Sequence, residues 1–309
     1  MKAKIWTALI AVYIAWGSTY LAIRFAVETI PPFLMAGTRF LIAAILLYAW
    51  RRSAGDQNPT PRQWRSAIIV GLLLLVGGNG IVSWAEQYVV SSIAALIVAS
   101  VPIWMVIIDA LRPGSLKPDW RVILGVLIGF GGIALLAGST HAASNPDRMA
   151  VYGIPALLGA SIFWAFGSVF SHHTDMPTST LTSIAIQMFA GGVGLYLLAI
   201  LTGEWTILKI SEITTRSLIS LGYLIVFGAL IGFVCYAWLL RNAPLPLVST
   251  YAYVNPVIAL IVGSWLGAEL LSLRTVIAAV IIVGSVILIN TSSQTRVKDK
   301  EETAALPAD

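Results

Sequence analysis

The chain is built almost entirely from long apolar segments, which are separated by short connectors rich in proline, asparagine and glycine. Each segment has about 20 residues, which is the length that an α-helix needs to cross the hydrocarbon layer of a membrane. Backbone groups in lipid must be satisfied within the protein, so a span is either a helix or a strand of a closed barrel. The segments lack the period-two alternation of barrel strands, and they therefore predict membrane-spanning helices.

The composition supports this interpretation. Charged residues make up 11% of the chain and hydrophobic residues 58%, whereas a soluble domain has about 25% charged residues. A water-soluble surface can hardly be built from such a composition. We predict an all-α membrane protein with ten transmembrane helices, which span residues 5–27, 32–50, 66–84, 91–110, 122–139, 153–171, 179–201, 217–240, 248–266 and 276–290.

The distribution of lysine and arginine predicts the orientation, because cytoplasmic loops carry an excess of both. With the N-terminus inside, the inner segments hold thirteen, namely Lys2, Lys4, Arg51, Arg52, Arg62, Arg65, Arg112, Lys117, Arg121, Arg241, Arg296, Lys298 and Lys300. The outer loops hold four, namely Arg148, Lys209, Arg216 and Arg274. This bias predicts a multi-pass protein of the bacterial inner membrane with both termini in the cytoplasm. Topology thus accounts for the net charge of +5, and we expect no nucleic acid as a partner.

Three short motifs of the first half recur in order in the second half. Trp16-Gly17-Ser18 resembles Phe166-Gly167-Ser168, Ser100-Val101-Pro102 resembles Val254-Asn255-Pro256, and residues 131–135 resemble 284–288, at nearly constant separations along the chain. Each half has five spans, so the second half enters the membrane upside down, as in the inverted repeats of many secondary transporters. We divide the chain into a first repeat (residues 1–145), a second repeat (146–290) and a polar cytoplasmic tail (291–309).

The residue patterns that enzymes use are missing from the spans. No acidic residue is central in a span, and the chain has no HExxH motif, no paired aspartates for a metal-bound diphosphate and no phosphate loop. Its single cysteine, Cys235, allows neither an intrachain disulfide nor a cysteine metal cluster. We expect no catalytic residue, no metal and no cofactor. An integral membrane enzyme and a solute channel stay open as alternatives to a carrier.

Two tryptophans, Trp16 and Trp164, lie near the middle of corresponding spans, whereas most others lie near span ends, where the interface favours amphipathic rings. Their indole N–H groups need acceptors, so these residues either line a solute cavity or pack between helices. Ser18 and Ser168 follow glycines on the same two spans, and serine hydroxyls there can bond across helices. Packing is the favoured interpretation of both serines.

Arg24 and Arg39 are the two charges within spans, and Arg39 lies about a third of the way into span two. A charge at such a depth is generally paired or functional. Glu28 and Glu86 are the candidate partners of Arg39, and Glu86 is also the candidate for ion coupling. A structural ion pair and substrate recognition both stay open for Arg39.

Span nine contains the sequence Asn255-Pro256, which is the sharpest local feature of the chain. A proline inside a helix removes a backbone hydrogen bond and bends the helix, so Asn255 and the nearby Tyr251 are placed at a kink. Pro102 predicts a similar kink in span four, and the two prolines are candidate hinges. The alternative is kinked packing without contact to a solute. The predicted cavity residues are Trp16, Ser18, Tyr20, Arg39, Asn79, Trp164, Ser168, Gln187, Tyr251 and Asn255.

Four of these segments also carry a resemblance to a known family. Residues 15–20 (AWGSTY), 36–40 (AGTRF), 164–169 (WAFGSV) and 249–256 (STYAYVNP) resemble the EamA family of the drug/metabolite transporter superfamily, and the last motif resembles its YedA-type inner-membrane exporters. The resemblance covers nearly all ten spans. It implies two inverted five-helix repeats, and it implies transport of a solute from a family range that includes amino acids, sugars, nucleotide precursors and drugs.

We therefore expect a secondary transporter, with an exporter favoured, that moves small organic metabolites or drugs by alternating access. Its expected partners are a small-molecule solute and membrane lipid. The sequence specifies neither the solute, the direction, the coupling ion nor the oligomeric state.

Overall fold

The computed structural model of the chain describes residues 2–111, 120–137, 148–243 and 251–288. These residues form helices and connectors, and none of them lies in a β-strand. The tail at 291–309 and the ends of several predicted spans lie outside the described residues. The helices are α1 (Lys2–Ala26), α2 (Pro32–Ser53), α3 (Pro61–Ala85), α4 (Ser91–Val98), α5 (Val101–Ala110), α6 (Trp120–Ala137), α7 (Ile154–His172), α8 (Thr180–Leu201), α9 (in three sections, Thr215–Tyr223, Leu224–Ile231 and Gly232–Asn242), α10 (Tyr251–Leu266) and α11 (Leu273–Leu288).

The helices follow the order of the predicted spans. Seven described segments are long and apolar enough to cross a membrane, namely Lys2–Ala26, Pro32–Ser53, Pro61–Ala85, Ser91–Ile108, Val151–His172, Thr180–Leu201 and Thr215–Tyr236. Three apolar helices are shorter, namely Trp120–Leu135, Val254–Leu266 and Leu273–Leu288. The all-helical fold is confirmed for the described residues, whereas the count of ten spans stays a prediction.

Three π-helical sections in the described residues were not predicted from the sequence. A short one, Met149–Gly153, leads into α7, and two longer ones lie within spans. The sections Leu72–Gly80 of α3 and Leu224–Ile231 of α9 are π-helical, and such wide turns are rare and often lie at functional sites. They occupy corresponding spans of the two repeats. An extra residue in a helical turn leaves the apolar composition unchanged, so the sequence pattern does not reveal it.

The span that carries Pro102 is divided into α4 and α5 by a turn at Ala99 and Ser100. Pro102 lies in the first turn of α5, where its missing N–H is tolerated. By contrast, Pro256 lies within the continuous helix α10. The repeat-related prolines thus have different effects on the continuity of their helices, and their role as hinges stays a prediction.

The helix pair α2 and α8 most clearly displays the internal repeat. Both helices have 22 residues. Their first residues, Pro32 and Thr180, therefore have the same separation along the chain as their last residues, Ser53 and Leu201. The two helices pack against each other along their length. The large buried side chain of Phe40 in α2 belongs to the hydrophobic cluster that surrounds this pair.

Among the described residues, the contacts between connectors join ends that the predicted topology places on the same face. On the predicted outer face, Thr29 Oγ1 donates to Ser217 Oγ at 2.8 Å. On the predicted inner face, the hydroxyls of Ser66 and Thr174 are 2.8 Å apart. These contacts agree with the alternation of the spans, and the assignment of one face to the cytoplasm stays a prediction.

Candidate functional site

Trp16 stands at the centre of an aromatic cluster formed by α1, α9 and α10. Its ring centroid lies 5.2 Å from that of Phe233, 5.0 Å from that of Tyr236 and 5.3 Å from that of Tyr251. The indole Nε1–H donates to the carbonyl of Gly228 at 3.2 Å, which lies in the π-helical section of α9. The acceptor of this partly buried indole N–H is therefore a main-chain carbonyl. Trp16 and the predicted cavity residue Tyr251 are in contact.

Ser18 and Tyr20 lie further along α1. Ser18 Oγ is 2.7 Å from the hydroxyl of Tyr223 on α9, and it also donates to the carbonyl of Ile14 in its own helix at 2.5 Å. Tyr20 packs against the hydrophobic cluster that includes Val82. Ser18 therefore links α1 to α9, as a serine hydroxyl between helices can. Helix packing accounts for this contact without a solute.

Arg39 is buried in α2 and only partly paired. It is 3% exposed, and its Nη2 donates to Asn79 Oδ1 at 2.7 Å. Its Nε and Nη1 have no hydrogen-bond partner among the described residues. The sequence analysis named both Arg39 and Asn79 as predicted cavity residues, but it did not identify Asn79 as the partner of Arg39. Glu28, one of the two predicted partners, instead lies 3.4 Å from Arg216 in an exposed ion pair.

Glu86 follows the last residue of α3, Ala85, and it is 3% exposed. Neither of its carboxylate oxygens has a hydrogen-bond partner within the described part of the chain. Burial raises the pKa of the Glu86 carboxyl well above its usual range, and the charge of Glu269 raises it further, whereas Arg24 and Arg39 oppose this.

The ion pair between Arg24 and Glu269 is a part of the site that the sequence analysis missed. Arg24 Nη1 lies 2.6 Å from Glu269 Oε1, and Glu269 also accepts from Ser91 N at 2.9 Å, Ser91 Oγ at 2.6 Å and Ser92 N at 3.1 Å. Burial alone would raise the pKa of Glu269, but the bonds from Ser91 and Ser92 and the charge of Arg24 outweigh it and lower the pKa. The signal that could have found this pair is the charge of Arg24 within span one, which requires an acidic partner.

In the second repeat, the described hydrogen bonds of the candidates Ser168 and Gln187 stay within their own helices. Ser168 Oγ donates to the carbonyl of Trp164 at 2.8 Å, one turn back in α7. Gln187 Nε2 donates to Ser183 Oγ at 3.0 Å within α8. The Trp164 ring packs against Gly78, because a Cβ on that glycine would lie 2.8 Å from Trp164 Cε3. The described contacts do not bring Gln187 or Ser168 to Arg39 or to the Trp16 cluster.

Trp16 and Trp164 have equivalent surroundings in the two repeats. Trp16 packs against the π-helical section of α9, and Trp164 packs against Gly78 in the π-helical section of α3. Phe166, which the motif match aligned with Trp16, is 53% exposed. The packing therefore pairs Trp16 with Trp164, at the same separation along the chain as the ends of α2 and α8. The motif alignment was out of register here.

Asn255 lies in α10 where that helix crosses α1. It is 7% exposed, and its Oδ1 has no hydrogen-bond partner in the described residues. A Cβ on Gly17 would lie 2.6 Å from Ile258 Cβ and 3.3 Å from the Asn255 carbonyl, so a glycine at this position permits the close approach of the two helices. Contact of this buried amide oxygen with a solute stays a prediction, as does its alternative, kinked packing without a solute.

Comparisons with known proteins agree with this architecture. The EamA-like transporter family matches the chain twice, over residues 3–138 and 151–291. The chain is 40% identical over 285 residues to the uncharacterized inner membrane transporter YedA of Escherichia coli (strain K12), covering 91% of this chain and 89% of YedA. It is 26% identical over 291 residues to the uncharacterized transporter YvbV of Bacillus subtilis (strain 168), covering 93% of this chain and 92% of YvbV. A crystal structure with 19% sequence identity matches with a TM-score of 0.63 over 94% of this chain and 98% of its own, and this likeness shows the fold alone.

Proposed function

The chain belongs to the EamA-like transporter family, and from this premise we propose that it is a secondary transporter that exports small organic metabolites or drugs across the cytoplasmic membrane. The two repeats would alternate access to a site between them, as inverted repeats do in other secondary transporters. The relatives reported above are named as transporters, which favours a carrier over a membrane enzyme.

The observation that carries the proposal is the pair of buried, incompletely satisfied ionisable side chains, Arg39 and Glu86. Two nitrogens of Arg39 and both oxygens of Glu86 have no partner among the described residues. Buried polar groups in native proteins are almost always hydrogen-bonded, and an exception calls for an explanation such as a ligand, a water or an ion. In a transporter, the transported solute and the coupling ion are the ligands that come and go.

The proposed site combines this charged pair with the aromatic cluster around Trp16. Arg39 Nε and Nη1 are free to donate to an acceptor of the solute, and Asn79 holds the third nitrogen in place. Glu86 either accepts from the solute or carries a proton in exchange for it. Trp16 and Tyr251, with their rings 5.3 Å apart, would supply an apolar wall.

The test is a comparison of cells that overexpress the protein with cells that carry an empty vector. Metabolites in the medium are quantified by mass spectrometry, and growth is measured against a panel of toxic metabolite analogues. We expect at least one organic solute to accumulate outside the expressing cells. The purified protein in proteoliposomes should then move that solute with saturable kinetics. A flux that rises linearly with solute concentration would indicate a channel instead, and no difference in any solute would contradict export.

A further inference from the structure

Glu204, just beyond the end of α8, binds the beginning of α2. Its Oε1 accepts from Phe33 N at 3.1 Å and its Oε2 from Leu34 N at 2.9 Å. These amides belong to the first turn of α2, where backbone N–H groups have no partner within the helix and attract negative charge. Gly203, in the left-handed region at φ 74°, makes the turn that directs Glu204 to this position. Glu204 is 4% exposed, so the contact is shielded from water.

Asp56, just beyond the end of α2, binds the beginning of α8. Its Oδ2 accepts from Thr182 Oγ1 at 2.6 Å, and its two oxygens accept from Arg51 at 2.5 and 3.1 Å. Hydrogen bonds from Arg51, Ser179 and Thr182 hold the pKa of the Asp56 carboxyl well below its usual range, so it is ionised at neutral pH. Gly55, at φ 86°, makes the turn before it.

The two contacts are related by the internal repeat. Asp56 and Glu204 have the same separation along the chain as Gly55 and Gly203, and this is also the separation of the two ends of α2 from those of α8. Each helix of the pair therefore ends in a left-handed glycine and an acid, and that acid binds the first turn of the other helix. Because the repeats are predicted to be inverted, the two contacts lie at opposite membrane faces.

The interface between α2 and α8, called the seam below, is closely packed between the two contacts. A Cβ on Gly192 would lie 2.7 Å from Leu41 Cγ, and one on Gly37 would lie 2.7 Å from the Tyr196 ring. The hydroxyls of Thr38 and Tyr196 are 2.7 Å apart. Glycine at both crossing points permits this approach. A solute path through this seam would have to open both ends and the packing between them.

We propose that Asp56 and Glu204 are positioning residues that clamp α2 and α8 into a fixed post, around which the other helices move during transport. This inference rests on the proposed function, because it assigns parts to alternating access. Both clamps are closed in this conformation, as parts of a fixed post would be. The Arg24–Glu269 contact differs from them. It joins α1, α4 and the connector before α11 at one face, and the Arg24 side chain is 32% exposed, so this contact can break to open that face.

The test compares a cross-link in the seam with a cross-link at the Arg24–Glu269 contact. Both are made in protein whose single cysteine is removed by Cys235→Ser. The seam pair is Leu41→Cys with Gly192→Cys, where a Cβ on residue 192 would lie 2.7 Å from the present Leu41 Cγ. The gate pair is Leu21→Cys with Gly267→Cys, next to the Arg24–Glu269 contact, where a Cβ on Gly267 would lie 2.7 Å from Leu21 Cδ1. Each oxidised protein also carries Ser168→Cys, which is labelled with a membrane-impermeant maleimide in right-side-out and in inverted vesicles.

With the seam cross-linked, we expect labelling of position 168 from either side to change by less than about twofold, because a fixed post tolerates a covalent lock. With the gate pair cross-linked, labelling from the face of Arg24 should fall by about tenfold or more, and reduction of the disulfide should restore it. An equal loss of labelling with the seam cross-linked would overturn the proposal, because the seam would then be a moving part.

A second measurement separates the clamps from the proposed function. Glu204→Gln and Asp56→Asn should lower the Tm of the detergent-purified protein, and Glu204→Gln should speed hydrogen exchange at the amides of Phe33 and Leu34. The matched control is Glu212→Gln, which removes a carboxylate that is exposed in an ion pair with Lys209. If position 168 is not labelled from either side before cross-linking, Ser168 does not line a solute path. The clamps then stand if these two substitutions lower the Tm and speed amide exchange, and they fall if neither quantity changes.

Discussion

At the scale of single residues, the molecule keeps charges in an apolar environment and satisfies them unequally. Glu269 has four hydrogen-bonding contacts, from Arg24, Ser91 and Ser92, whereas Glu86 has none with the described residues. Unpaired buried charge is costly, and proteins retain it mainly where it has a function. Arg39 and Glu86, whose polar atoms lack hydrogen-bond partners among the described residues, are therefore the strongest candidates for a function.

Arg39→Leu is expected to insert into the membrane but to reduce transport more than tenfold. A hydrogen bond from a charged group contributes about 1.5–3 kcal/mol, and the loss of such a contact with the solute corresponds to roughly tenfold or more in affinity. The measurement is uptake into proteoliposomes of the solute identified by the export screen. Arg62→Leu, which removes an exposed arginine at the start of α3, is the matched control. Full transport by Arg39→Leu would show that the charge is dispensable.

Glu86→Gln is expected to change how the Tm depends on pH. Because the folded-state pKa of Glu86 is raised, the folded protein holds a proton that the unfolded chain releases above about pH 4.3. The wild-type protein therefore loses stability as the pH rises from there towards the folded-state pKa. Glutamine is neutral at every pH in this range, so Glu86→Gln does not share this loss of stability. The difference between its Tm and that of the wild type should therefore be lowest near about pH 4.3 and should increase towards neutral pH. A constant difference across the range would contradict the raised pKa.

At the scale of helices, neighbouring helices approach closely at two kinds of position, at glycines and at the π-helical sections. The π-helical sections of α3 and α9 receive Trp164 and Trp16, and Gly17 admits α10. In a membrane the lipid tails are as apolar as leucine, so helices associate through close packing and hydrogen bonds rather than through exclusion of water. The aromatic and glycine positions thus determine which helices are neighbours.

The substitutions Asn255→Ala and Tyr251→Phe are expected to weaken solute affinity while expression stays normal. Asn255 Oδ1 has no described partner, so its loss should cost binding more than folding. The measurement is the KM for the identified solute together with the Tm in detergent, on one purified variant. A lower Tm with an unchanged KM would instead assign Asn255 to helix packing and remove it from the site.

Pro256→Ala is expected to lower the maximal transport rate and to leave KM nearly unchanged. The proline removes a backbone hydrogen bond inside α10, and alanine would restore it and stiffen the helix. The matched control is Val257→Ala, at an adjacent position that is 46% exposed. An unchanged rate in Pro256→Ala would exclude a hinge at this position.

At the scale of the whole molecule, the two repeats predict a topology with opposite orientations in the membrane. Alkaline phosphatase is active only outside the cytoplasm, so a fusion after Pro146 should be active and a fusion after Asn58 should be inactive. The expectation rests on thirteen inner and four outer basic residues. Activity at Asn58 and none at Pro146 would reverse the assignment of the faces and of both termini.

The sequence by itself determined the helical membrane fold, the order of the helices and the list of polar residues that lie in or next to spans. These follow from local properties, because the length and apolarity of a segment decide whether it can replace its contacts with water by contacts with lipid. Short motifs also predicted the internal repeat, which agrees with the match of the family to both halves of the chain. Even so, the motif alignment in α1 and α7 was out of register, because small residues recur often and three matched positions carry little information.

Only the tertiary structure decided which of these residues meet. Arg24 and its partner Glu269 lie in different repeats, far apart in sequence, and so do Glu204 and the amides that it binds. Such pairings depend on the packing of helices from different repeats, and no local pattern encodes them. Likewise, the sequence suggested both Glu28 and Glu86 as partners of Arg39. In the fold, Arg39 donates to Asn79 instead, and Glu86 has no hydrogen-bond partner among the described residues. The physical reason is that the bilayer selects for apolar length in each segment separately, whereas a hydrogen bond requires two atoms about 3 Å apart, which the assembled helices alone determine.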